Sequence, residues 1–280
     1  LLTLFYLRRR DDTFDRALLY VSVAASAMLV AFESRDAFVI TGTAGASAVA
    51  IIYAERSLGA KLAVIKLPRR VWVTGAVFAA LLFIIFTGGL TTLRYLTYST
   101  PNYDFGIFVN MFHNMRTKLL PLVTCERDML LSHFAVHVSP IYYLILPFYA
   151  LFPSPVTLQI AQAVILASGV APIFLLCRLK GLSDKYGFIF SLVYCLYPSL
   201  SGGCFYDIHE NCFLVPLILW ALYFFESRRF AGLYIFAALT LLVKEDAPVY
   251  VAFIALYMLL SGGGAAQNAE DAHDTFYRRN

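Results

Sequence analysis

Eight apolar runs, each near the length needed to cross a lipid bilayer, divide this chain of 280 residues. They cover 17–33, 37–54, 71–90, 156–177, 186–200, 212–226, 229–244 and 247–261. A spanning helix needs about 20 mainly apolar residues, so several runs depend on their flanks. The composition agrees: 60% of residues are hydrophobic and 14% are charged, where soluble domains average roughly 25% charged. Mean hydropathy is +0.71. The expected fold is therefore all-α, a polytopic transmembrane helix bundle.

Other classes recede on the same evidence. A net charge of +4 with no basic run interleaved with aromatics argues against a nucleic-acid partner. The five cysteines, Cys125, Cys177, Cys195, Cys204 and Cys212, show no zinc-type spacing. Cys204 and Cys212 flank one loop and would pair only in an oxidising compartment; the plainer reading is small apolar residues near helix ends. The apolar Leu1–Leu7 with Arg8–Arg10, and the polar His273–Asn280, read as cuts inside a longer protein. No secretory signal peptide with a small-residue cleavage site is visible.

Segment 134–151 is also apolar, but Pro140 and Pro147 interrupt it. Whether it crosses decides the topology, because each choice regroups the loops. If it stays on one surface, the cytoplasmic side holds Arg8–Arg10 and Arg16; Arg56, Lys61, Lys66, Arg69 and Arg70; Arg178, Lys180 and Lys185; Arg228 and Arg229; Arg278 and Arg279. These are 16 of the 22 Lys and Arg residues, the bias expected of cytoplasmic loops. If it crosses, the split becomes 10 and 12 and the bias vanishes. The segment is thus expected to be a juxtamembrane helix on the outer face. The expected layout is 1–70 as an N-terminal extension of two spans, 71–261 as the core with an extracytoplasmic loop 91–155, and 262–280 as a cytoplasmic tail or loop.

That topology gathers the ionisable residues of 91–133, 201–211 and 244–246 on one face, and ionisable groups at membrane level usually mark a pathway or site. In Pro101-Asn102-Tyr103-Asp104-Phe105-Gly106, Asp104 opens a helix whose Phe105, Phe108, Val109 and Phe112 recur at helical spacing, with Asn110, His113 and Asn114 opposite. The pattern predicts an amphipathic interfacial helix. Asp104 serves as an N-cap, as a general base toward a hydroxyl, or as both. In Ser132-His133-Phe134-Ala135-Val136-His137, the two histidines share a helical face and suit a metal or a phosphate, or a plain structural role; Ser132 caps the helix. The run Asp207-Ile208-His209-Glu210 sets two carboxylates and an imidazole at the start of an apolar helix. It binds a divalent cation, or a phosphate through one, unless it is a solvated loop with a capping Asp. His133, His137, Asp207 and Glu210 are the candidate metal ligands. In Lys244-Glu245-Asp246-Ala247-Pro248, Lys244 meets phosphate as a point charge, or the three charges pair with one another in a turn before Pro248 opens the next helix.

These ordered motifs, Tyr103-Asp104-Phe105-Gly106-Ile107-Phe108, His133-Phe134 with His137 and Ser139-Pro140, Tyr206-Asp207-Ile208-His209-Glu210, and Lys244-Glu245-Asp246-Ala247-Pro248, resemble the bacterial and archaeal membrane proteins grouped as domain of unknown function 2079, over roughly 71–261. That family is similar to the GT-C glycosyltransferases. The resemblance implies a GT-C-like bundle with extracytoplasmic juxtamembrane helices, and Pro140-Ile141-Tyr142-Tyr143 with Arg178 and Lys180 match the corresponding stretch. It implies that Asp104 is the catalytic carboxylate. His133, His137, Asp207, His209, Glu210, Lys244, Glu245 and Asp246 would then form the substrate or phosphate site. A single Asp104 stands where many relatives have two nearby acidic residues.

The expected function is transfer of a sugar from a polyprenyl-phosphate donor, with membrane lipid as the other partner, on the extracytoplasmic face of a prokaryotic plasma membrane. The competing classes are a transporter or lipid-binding protein without chemistry, and a metal-dependent hydrolase or phosphotransferase. A transporter should show mid-span polar residues and matched broken helices, whereas the ionisable residues here sit at span ends.

Overall fold

The computed structural model describes residues 36–53, 64–100 and 103–260, with 20–23, 25 and 29. Most of the expected run 17–33 lies outside the described residues, and the segments 1–19 and 261–280 lie wholly outside them. The chain forms two units, Leu1–Pro68 and Arg69–Asn280. In the first, α1 (Ala37–Tyr53) is an apolar helix of 17 residues.

The second unit is helical because an apolar chain must satisfy its own backbone hydrogen bonds. A continuous helix of 28 residues runs from Arg69 to Leu96. It comprises α2 (Arg69–Phe83), a π-helical turn at Ile84–Gly88 and α3 (Gly89–Leu96). The π turn lies where this helix meets α6 (Pro155–Ala167). A Cβ on Gly88 would stand 3.4 Å from the Cβ of Ala163, so small residues let the two backbones approach closely.

Pro155 to Leu179 forms the second helix of spanning length, 25 residues, made of α6 and α7 (Val170–Leu179). Ser154 caps it, its Oγ accepting from the Val156 N–H at 3.3 Å, and Pro155 occupies the first turn, where its missing N–H is not needed. At the joint, Gly169 leaves room for Tyr194, whose hydroxyl donates to the Leu166 carbonyl at 2.6 Å. Next come α8 (Asp184–Leu196) and α9 (Pro198–Cys204). They bend by 43° at the break, where Pro198 removes the donor that would continue α8.

Among the described residues, two helices are long and apolar enough to cross a bilayer, or three if the bent pair counts as one. The runs expected at 212–226 and 229–244 are shorter as helices, α10 (Leu214–Glu226) and α11 (Phe230–Leu241), and the run at 247–261 is helical over its described residues as α12 (Ala247–Leu260). The ends of the first two are spent on a 3₁₀ turn at Glu210–Phe213 and on the turn 242–246. Within the unit α8 packs between α2 and α7, and α10 packs on α7 and α11. Trp220, Phe224 and Phe236 stack at 5.4–5.7 Å where α10 meets α11.

Two expectations change here. Helix α4 (Asp104–Lys118) forms as expected, but its apolar face is covered by protein. Phe105, Phe108, Met111, Phe112 and Met115 are all buried in protein, each side chain of this size contributing about 1.5–3 kcal/mol relative to water. Its polar side holds a two-stranded hairpin, β1 (Leu122–Val123) and β2 (Leu131–Ser132). Asn114 Nδ2 donates to the Leu122 carbonyl at 2.9 Å and Asn110 Oδ1 accepts from the Thr124 N–H at 2.9 Å.

Nor is 134–151 a single helix. It follows a 3₁₀ turn at His133–Ala135, then winds as a 3₁₀ turn at Pro140–Leu144 and as α5 (Leu146–Leu151). Pro140 and Pro147 each sit in the first turn of a new element, which restarts the helix instead of propagating it. None of these pieces approaches the length of a span.

Candidate functional site

The loops that join α3 to α4, α4 to α6, α9 to α10 and α11 to α12 meet at one end of the second unit. Phe108 is the contact shared by the α4–α6 and α9–α10 connections, and the α11–α12 turn joins them through Lys244 and Glu245. The Phe108 ring centroid lies 5.4 Å from that of His133, 5.0 Å from His209 and 5.6 Å from Tyr142. One helical turn before Phe108, on the same face, the Oδ2 of Asp104 accepts a hydrogen bond from the Tyr206 hydroxyl at 3.1 Å. Tyr206 in turn lies against His209, centroids 4.9 Å apart.

Asp104 is not the N-cap. Tyr103 occupies that position without a side-chain cap, and Asp104 is the first helical residue, where its charge suits the positive end of the helix dipole. Its partly exposed carboxylate is thereby left for Tyr206 and for solvent. The bond holds the Tyr206 hydroxyl above its ordinary range, because a phenolate beside the carboxylate would lose the hydrogen bond and meet a like charge.

The histidines share a side over a single turn and not over a helix. Ser132 Oγ accepts from the Phe134 N–H at 3.3 Å as the expected cap, and the His137 N–H donates to the His133 carbonyl at 2.9 Å. The rings stand 6.1 Å apart, yet each has its own carboxylate. His133 Nδ1 lies 2.8 Å from Glu126 Oε2, with both residues buried. His137 Nδ1 lies 2.8 Å from Glu245 Oε1, while Glu245 Oε2 accepts from the Val138 N–H at 3.1 Å. The His137 bond holds the Glu245 carboxyl below its ordinary value, outweighing burial.

Asp207 and Glu210, three residues apart, have opposite surroundings. Asp207 is buried, with φ of 78°, a left-handed conformation that Asp tolerates better than most residues. Its Oδ1 accepts from Gln159 Nε2 at 2.7 Å, and its Oδ2 finds no hydrogen-bond partner. Burial pushes its carboxyl up, and the Gln159 bond with the Arg94 charge only partly offsets this. Arg94 instead donates to the Phe205 carbonyl at 2.8 Å, bracing the loop.

Glu210 is 1% exposed. Its Oε1 meets Lys244 Nζ at 2.8 Å and its Oε2 accepts from the Tyr142 hydroxyl at 2.9 Å. Burial works against its charge, but the bond to Lys244, then that ion's field and the Tyr142 hydroxyl, bring the carboxyl below its ordinary value. Burial likewise works against the Lys244 ammonium, and Glu210 more than reverses it. Lys244, Glu245 and Asp246 therefore do not pair with one another: Lys244 reaches Glu210 and Glu245 reaches His137. Asp246 is exposed, and its carbonyl starts the α12 turn by accepting from the Val249 N–H at 3.1 Å.

The four candidate metal ligands do not meet at one point. Among the described residues no group of three or more His, Cys, Asp and Glu side chains is placed to hold an ion. All five cysteines are free thiols.

Sequence reasoning missed Glu126, Tyr142, Gln159, Gln162 and Arg94. Gln159 and Gln162 had a signal: both lie inside an apolar span, and both are buried. Gln162 Nε2 donates to the Cys204 carbonyl at 3.1 Å and its Oε1 accepts from the His209 N–H at 3.3 Å, so the two glutamines shape the 204–209 loop.

A family model described as "Predicted membrane protein (DUF2079)" matches residues 94–272. No curated protein and no solved structure matches the chain. The matched stretch starts at Arg94, later than the 71 expected, and contains every loop that meets at Phe108. By that match, over more than half of its length, the chain belongs to the DUF2079 family of predicted membrane proteins.

Proposed function

We propose that this protein is a membrane glycosyltransferase that moves a sugar from a polyprenyl-phosphate donor to an acceptor hydroxyl. One observation supports the reading most. A partly exposed carboxylate, Asp104, accepts from Tyr206, which itself lies against His209, where several loops of an apolar bundle converge. A base at the rim of a helix bundle suits a donor whose isoprenoid tail stays in lipid while its phosphate lies at the headgroup level.

In the proposed reaction the acceptor hydroxyl gives its proton to Asp104. Its oxygen forms a bond to the anomeric carbon, and the bond from that carbon to the phosphate oxygen breaks. Polyprenyl phosphate leaves with the electron pair. Lys244 has three N–H donors; one is used on Glu210, and the others serve the departing phosphate. His137 and His209, both partly exposed, are the neutral or cationic partners of the same group. Glu210, Asp207, Glu245, Asp246 and His133 shape the site around them. The likeness to GT-C enzymes rests on the motifs in the sequence. The bias of 16 of 22 cationic residues to one side supports an extracytoplasmic site in a prokaryotic plasma membrane.

The test is a reconstituted assay. Purified protein in liposomes is given a panel of polyprenyl-phosphate sugars together with membrane extract as the source of acceptor hydroxyls, and release of polyprenyl phosphate is followed. Release with one donor supports the proposal. Donor binding without release, across the panel, would favour a lipid-binding protein without chemistry.

A further inference from the structure

The far end of the second unit carries an unassigned feature. A cavity of about 630 Å³ opens between α7, α10 and α12, walled by Leu176, Ile218, Leu222, Phe253 and Ile254. That volume lies in the range of clefts that bind small molecules, roughly 300–1,000 Å³. α10 begins just after Glu210 and ends at Glu226. It is about 20 Å long at the α-helical rise, so this cleft and the Phe108 cluster occupy opposite ends of the bundle.

The cleft is not apolar throughout. At its rim Glu226 joins two elements: its Oε2 pairs with Lys180 Nζ, and its Oε1 accepts from the Tyr257 hydroxyl at 2.6 Å. The Lys180 side chain remains 55% exposed despite that pair. Two residues beyond Glu226, Arg228 is exposed. An apolar slot below a rim of net positive charge is complementary to one kind of molecule abundant in a bilayer, an anionic phospholipid. Basic pockets between membrane helices recognise such headgroups, and one acyl chain satisfies the slot.

We infer that the cleft between α7, α10 and α12 binds an anionic phospholipid, one acyl chain lying along Leu176, Leu222 and Phe253 and the phosphate meeting Lys180 at the rim. The site is separate from the proposed transfer site and stands whether or not that reading holds. Its role is to brace α12, which packs on α10 through Ile254 and Tyr257 and follows directly on Lys244 and Glu245.

The experiment is native mass spectrometry of the purified full chain, delipidated and then offered phosphatidylglycerol, phosphatidylethanolamine or phosphatidylcholine with identical chains. Wild type is expected to retain one phosphatidylglycerol in preference to the other two. Leu222→Trp, which fills the slot, should abolish retention. K180Q/E226Q, which removes the exposed ammonium without stranding a carboxylate, should weaken phosphatidylglycerol about fivefold and leave phosphatidylcholine unchanged. Equal retention by Leu222→Trp and wild type, or retention indifferent to headgroup charge, overturns the proposal. It is also overturned if a cysteine at position 222 cross-links to segment 261–280 or to a second copy and no lipid is retained, because the cleft is then a packing face. If Leu222→Trp fails to fold, the headgroup preference and the K180Q/E226Q comparison decide alone.

Discussion

Glu210 and Lys244 meet at 2.8 Å, the carboxylate 1% and the ammonium side chain 18% exposed. They join the loop before α10 to the turn before α12. With Tyr142 on the other oxygen of Glu210, three distant stretches of chain close on one buried charge. Removing one partner of a buried ion pair leaves the other uncompensated, at about 3–5 kcal/mol. Lys244→Met is therefore expected to destabilise by about that amount, while Glu210→Gln with Lys244→Met recovers most of it. Thermal unfolding in detergent checks the cycle; equal melting of Lys244→Met and wild type would remove the pair from the account.

The pair also sets a pH window. Glu210 is held below its ordinary 4.5, so its stabilisation is present above that value and lost as pH falls through the lower folded value. Lys244 is held above 10.5, so its part is present below that value and lost as pH rises through the folded value. Melting temperature is expected to fall in acid, and Glu210→Gln should flatten that limb.

Asp207 acts in the opposite sense. Its folded value lies above the ordinary 3.8, so its contribution is greatest in acid and declines as pH rises through the folded value. Asp207→Asn keeps an acceptor for Gln159 and tolerates the left-handed backbone, and should melt at or above wild type at neutral pH. Asp207→Ala loses both advantages and should melt lower. The melting order of the three proteins at pH 5 and pH 8 checks the sign.

Tyr206→Phe removes the hydroxyl that meets Asp104 while Tyr206 is exposed. Stability should change by less than about 1.5 kcal/mol. Transfer should fall several-fold, since Asp104 loses the group that orients it. Turnover and melting temperature measured together separate the two effects.

Much of the helical plan was legible because an apolar run of spanning length has few folded alternatives. The runs 71–90 and 156–177, read from hydropathy, lie within the helices Arg69–Leu96 and Pro155–Leu179, and the Ser132 cap follows from capping chemistry. The partners of the charged residues were not legible. Asp104 and Tyr206 are 102 positions apart, His137 and Glu245 108, and Tyr142 and Glu210 68. No local period encodes such pairings; they follow from how the helices return to one end. The burial of α4 was missed for a related reason. Its apolar face predicts an apolar surface, and the sequence does not say whether lipid or Tyr142 and Tyr149 cover it. The shorter extent of α10 and α11 escaped because hydropathy continues through turns where the backbone does not.

The central claim is that Asp104 takes a proton from the acceptor during sugar transfer. Its most direct test is single-turnover transfer from a polyprenyl-phosphate sugar by liposomes carrying wild type or Asp104→Asn, matched for protein level and melting temperature. Asp104→Asn is nearly isosteric and keeps an acceptor for Tyr206, so the account predicts intact donor binding with transfer reduced by about 10²-fold or more. Transfer at the wild-type rate by Asp104→Asn would contradict it.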